Sequence, residues 1–178
     1  MMTGRWTVLV VLLILGSVTA VSSRPETSPE QTSGASSVEQ ANVLVDAPIR
    51  RLGGSRASVQ AQLGPPSSVR TEDFANRHDP GQRDQIHTLT YQGLVIRLYN
   101  VVAFKKEMLL SVRMIQNYPG LLPELIGQHE RAIISSLGSP TILAGEVWEY
   151  QDAEGNDQMR IEFKDSVVVA VEWNYYVD

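Results

Sequence analysis

The chain has 178 residues, 43% of them hydrophobic, with a formal charge of -5 and no cysteine. The missing cysteines exclude disulfides, zinc-thiolate sites, thiol nucleophiles and an acylated lipoprotein anchor together. The net negative charge argues against general nucleic-acid binding.

The N-terminus reads MMTGRWTVLVVLLILGSVTAVSS, with one positive charge at Arg5, an apolar run from Val8 to Leu15, and small residues ending at Ala20. This pattern predicts a secretory signal peptide over 1–20, cut after Ala20, and hence a periplasmic or secreted protein. The alternative is an uncleaved N-terminal membrane anchor, since no further charge appears before Arg24. Residues 21–47 begin with a run rich in Ser, Thr, Pro, Glu and Gln and are predicted to form a disordered linker.

From residue 48 the chain repeats itself. Gly53, Leu63, Gly64 and Pro66 recur as Gly127, Leu137, Gly138 and Pro140, so that both stretches spell G-x9-L-G-x-P. Ala57, Val59 and Leu63, and likewise Ile133, Ile134 and Leu137, fit one face of a helix. Each helix is predicted to stop at its Gly in the left-handed conformation. Short apolar turns precede each break, with Ile49 and Leu52 in the first copy and Leu122, Leu125 and Ile126 in the second, and these predict a further helix in each unit.

Strands follow. VWEYQ alternates Trp148 and Tyr150 with polar residues, MRIEF places Met159, Ile161 and Phe163 on one face, and the last strand does so with Val167, Val169, Val171 and Trp173. TLTYQ, LVIRLY and MLLSVRMI repeat the plan, with Leu94, Ile96 and Leu98, then Leu110, Val112 and Met114. The polar segment 70–87 is predicted to be a long loop. The expected fold class is α+β, with two tandem copies of a helix-helix-antiparallel-sheet unit, over 48–120 and 121–178, sharing a layer of helices packed on one face of a sheet.

These residues, G…V…LG.PP, VWEY, MRIEF and the Val-rich closing strand, resemble the BamE/SmpA module, and in tandem they are similar to the β-lactamase-inhibitor protein. The resemblance implies a noncatalytic exported binding module, engaged in envelope assembly in one branch and in enzyme inhibition in the other. The matching residues are structural, so no site residue is carried over.

No nucleophile–base–orienter set is legible, and the expectation is that the protein is not an enzyme and uses no cofactor or metal. His78, His87 and His129 match no metal-ligand spacing, and Asp152, Glu154 and Asp157 read as a soluble turn. The expected partner is another protein, with no nucleic acid involved. Residues 48–120 carry ten Lys/Arg against five Asp/Glu, and 121–178 three against eleven. Alternation places Arg97, Tyr99 and Arg113 on the outer sheet face of the first copy, and Glu149, Glu162, Glu172 and Tyr176 on that of the second. Together they predict a binding platform positive at one end and negative at the other. A hydrolase inhibitor is the alternative, using the segment 70–87 or the 152–157 hairpin as its protruding element.

Overall fold

A computed structural model of the chain describes residues 33–76 and 78–177. Its elements run α1 (Ser33–Val45), α2 (Ala47–Leu52), α3 (Arg56–Leu63), β1 (Ser68–Ala75), β2 (Arg83–Tyr91), β3 (Leu94–Val101), a 3-10 turn (Val102–Phe104), β4 (Lys106–Met114), α4 (Glu130–Leu137), β5 (Ile142–Ala144), β6 (Val147–Gln151), β7 (Gln158–Lys164) and β8 (Val167–Asn174). All eight strands form one antiparallel sheet in the order β1-β2-β3-β4-β8-β7-β6-β5. Two four-stranded meanders therefore meet at β4 and β8, where Ser111–Met114 pair with Asn174–Val171.

This architecture corrects the expected fold class. The molecule is mostly an eight-stranded antiparallel sheet with a few short helices, not two helix-helix-sheet units. The helix predicted around Leu122, Leu125 and Ile126 is absent, and the chain there makes turns. Pro119 and Pro123 supply the reason, since neither has an amide hydrogen to donate and each disfavours helical geometry in the residue before it. Leu122 and Leu125 are buried all the same, so their apolar pattern records packing and not helix.

A second difference lies at 70–87, expected as a long loop. It is the hairpin of β1 and β2, with only residues 76–82 left between the strands. β1 is an edge strand, exposed along almost its whole length, so it carries no alternation of apolar and polar residues to read. A third lies in the expected linker, where α1 is helical from Ser33. Ala41 and Val45, one turn apart on α1, are both core residues. The carbonyls of its last turn, which an isolated helix leaves unpaired, accept hydrogen bonds from the Trp173 indole (2.9 Å, at Leu44) and the Tyr175 hydroxyl (3.0 Å, at Val45).

The core lies between the helices and one sheet face. Leu52 and Val59 from α2 and α3, and Ile133 and Leu137 from α4, cover Leu89, Ile96, Val112, Met159, Ile161 and Trp173. α3 opens with a capping box between Ser55 and Ser58, which accounts for the Gly53-Gly54-Ser55 sequence. α3 and α4 end alike. The cap amides of Gly64 and Gly138 donate to Gln60 and Ile134 carbonyls, and their carbonyls accept from the hydroxyls of Tyr91 (3.2 Å) and Tyr150 (3.1 Å). Their dihedrals, φ 75 and ψ -168, φ 76 and ψ -166, lie in the extended region open to glycine alone and not in the left-handed helical region expected. The chain can thereby leave each helix already extended toward the next strand. Burial pushes the Tyr150 hydroxyl up to about 12, so it is a donor at all physiological pH values.

Candidate binding site

The sheet face away from the helices carries six of the seven residues expected to bind a partner, and register shows how they meet. Arg113 lies opposite Glu172, Glu172 opposite Arg160, Arg160 opposite Glu149, and Glu149 opposite Ile142 at the edge. The row alternates in sign across β4, β8, β7 and β6. Arg113 also makes a bidentate contact with Glu162, at 2.6 and 2.9 Å, and lies 3.6 Å from Glu172. Arg160 Nε is 3.1 Å from Glu149 Oε1, close enough for Coulomb attraction though not aligned as a hydrogen bond. The bond to Glu162, with the two carboxylates, raises the Arg113 pKa against the cost of desolvation. Reciprocally, Arg113 holds the Glu162 carboxyl below its ordinary value.

These charges are consumed in one another, so they do not form separate positive and negative ends. Arg97 lies one row away, opposite Thr88 and Ser111, with no side-chain hydrogen bond or ion pair among the described residues. Tyr99 donates to the buried Asp84 (2.7 Å) and packs on Phe74 with ring centroids 5.4 Å apart. Tyr176 lies two residues beyond the end of β8, with its amide donating to Asp157 (2.9 Å) and the residue 61% exposed. The pairing has a measurable consequence. Arg113→Ala should lower stability by about 1 kcal/mol, the upper end for a half-exposed pair, and Arg97→Ala by less than about 0.5 kcal/mol; urea titration at low and high salt measures both.

Alternation in the strands did not expose two polar nodes. Asp84 is wholly inaccessible and accepts from Asn76 Nδ2 (2.5 Å), the Tyr99 hydroxyl (2.7 Å) and the Val102 amide (3.2 Å). The Tyr99 bond foremost, with those from Asn76 and Val102, holds its carboxyl below the ordinary value against the opposing effect of burial. His87, expected in a solvated loop, is 8% exposed in β2. Its Nδ1 meets Thr71 Oγ1 at 2.9 Å and its Nε2 is 4.0 Å from Glu107, whose other oxygen accepts from the Arg56 amide at the start of α3. This line ties β1, β2, β4 and α3 together. His129 caps α4 through Nδ1, at 3.4 Å from the Arg131 amide. Among the described residues no cluster of three or more His, Asp and Glu could hold a metal, and no helix is long and apolar enough to cross a membrane.

The helical side holds a groove of about 640 Å³ between α1, α4 and the turns before α4. Its apolar lining is Val43, Leu44, Leu125 and Leu137, and Glu39 and Glu124 stand among its polar residues. Leu125 and Leu137 are core residues seen from outside, whereas Val43 is 48% exposed. Sequence reading missed this groove because α1 was not expected to exist. The adjacent run Ala41, Val43, Leu44 and Val45 is the signal that marks α1 as a packed element.

No family model and no curated protein matches the chain. Among solved structures it is similar to a DUF4309 family protein (YjgB) from Bacillus subtilis, with a TM-score of 0.43 and 13% identity over 80% of this chain and 99% of that one.

Proposed function

We propose that the protein is an exported, noncatalytic protein-binding module of the bacterial cell envelope that takes a segment of its partner into the groove between α1 and α4. Export rests on the signal-like residues 1–20, which lie outside the described residues. The observation that carries the binding role is the groove itself, with an apolar floor and carboxylates from Glu39 and Glu124 beside it. An amphipathic segment with apolar anchors and basic flanks matches that pattern: the anchors leave water on the floor and the flanks meet the acids. The ladder of paired charges on the opposite face suits a rigid support better than a steering field, because its charges already have partners.

A photoreactive side chain at Val43, compared with one at Arg97 on the far face, tests this in native cells. The expected result is a discrete crosslinked partner from position 43 alone, displaced by excess unlabelled protein but not by excess Val43→Asp protein. Because Val43 is half exposed, that variant should keep its melting temperature. Equal adducts from both positions, or competition by Val43→Asp, would show that the groove is not the binding site.

A further inference from the structure

The outer edge of β1 has a regularity that the binding groove does not use. Its pairing with β2 is unbroken from Ser68 to Ala75, without bulge or proline, and the ladder continues into the bond from the Asn76 amide to the Gln82 carbonyl (3.0 Å). In an antiparallel ladder alternate residues bond to the neighbouring strand. That bond sets the even-numbered residues facing β2, and leaves the amides and carbonyls of Val69, Thr71, Asp73 and Ala75 directed outward. Such an edge is a template for another strand. The opposite edge of the sheet, β5, is only three residues long.

The side chains on this edge say which strand fits. Arg70 and Glu72 share the outer sheet face, 2.8 Å apart, and neighbouring residues on a paired strand would sit opposite them. An antiparallel copy of β1 can bring outward groups to outward groups about an axis at Arg70, Thr71 or Glu72. An axis at Arg70 sets arginine against arginine, and one at Glu72 sets glutamate against glutamate. Like charges directly opposite are unfavourable. The axis at Thr71 places each Arg70 opposite Glu72 of the other copy, twice by symmetry, with Thr71 facing its equivalent.

We propose that two copies of this chain associate through β1, antiparallel about a two-fold axis at Thr71, with Arg70 of each opposite Glu72 of the other. The interface is isologous, so it closes as a dimer. The two sheets become one continuous sheet across the pair, and both binding grooves stay on the helical side. The inference is independent of what the groove binds.

Sedimentation velocity over a concentration series tests it on the mature chain. The natural protein should show a monomer–dimer equilibrium. Arg70→Glu and Glu72→Arg, each setting like charges in opposition, should raise the dimer dissociation constant roughly tenfold. The double variant, Arg70→Glu with Glu72→Arg, restores opposite charges in the same register and should return the constant to its original value. Thr71→Pro removes an outward amide hydrogen while sparing the backbone bonds to β2, and it also gives up the Thr71–His87 contact, which Thr71→Val gives up alone. The proline variant should abolish the dimer and the valine variant keep it, with circular dichroism showing both folded. A natural protein that stays monomeric throughout, single charge variants that dimerise unchanged, or a double variant that fails to recover would each overturn the proposal.

Discussion

Trp173→Ala is expected to be among the most damaging single substitutions, lowering the unfolding free energy by about 3–5 kcal/mol. Trp173 is fully buried in β8, opposite Val112 of β4 and Met159 of β7, so its ring sits where the two meanders join. That junction pairs only four residues of β4 with β8, and packing on the helical side must supply much of its strength. The substitution also strips the donor from the Leu44 carbonyl at the end of α1. Trp173→Phe separates the two contributions: it keeps most of the apolar volume and should cost less, while still releasing α1 through the lost hydrogen bond, worth about 1 kcal/mol. Urea unfolding gives the totals, and amide exchange over Ala41–Val45 reports the release. A loss below about 1 kcal/mol for Trp173→Ala would mean that the meanders are joined by something other than this ring.

The second large effect is expected at Asp84. Asp84→Ala leaves the Tyr99 hydroxyl, the Asn76 amide group and the Val102 amide without their common acceptor, and should cost about 3 kcal/mol. Its pKa is lowered in the folded protein from an ordinary 3.8, so the folded state binds the proton less readily than the unfolded chain does. The stabilisation is therefore complete above that ordinary value and is lost as pH falls below it, through the lower folded value. Glu162 acts in the same direction through Arg113. Measured between pH 7 and pH 2, the difference in stability between the natural protein and Asp84→Asn should be largest at neutral pH and shrink at the acid end. A difference that grew on acidification would show that Asp84 is protonated in the native state.

Much of the sheet was legible because alternation survives wherever one face is buried. Met159, Ile161 and Phe163, and Leu94, Ile96 and Leu98, point into the core as their spacing predicts. The two closing strands were legible only in part. Register shifts between Arg97 and Leu98 and between Glu162 and Phe163 change the phase, so Leu109 is buried where Leu110 was expected, and Val168 where Val169 was. A bulge inserts one residue on a strand, and nothing in apolar runs such as MLLSV or SVVVAV marks where it falls. β1 was illegible for the opposite reason: an exposed edge imposes no pattern on either face.

For the candidate site, the outer-face positions of Arg97, Arg113, Glu149, Glu162 and Glu172 could be read from strand parity. Their mutual pairing could not, since it depends on which strands become neighbours and in what register. The groove was hidden because α1 owes its place to residues near the other end of the chain.

That dependence sets an order of events. The donors that fix the last turn of α1 are Trp173 and Tyr175, separated from their acceptors by about 130 positions. During synthesis, α1 emerges about 130 positions before its anchors, so neither the helix nor the groove beside it can be completed until the residues between them have been made. Contacts of such long sequence separation also form slowly. The groove beside α1 is therefore a late product of folding, formed only when the end of β8 docks on that helix.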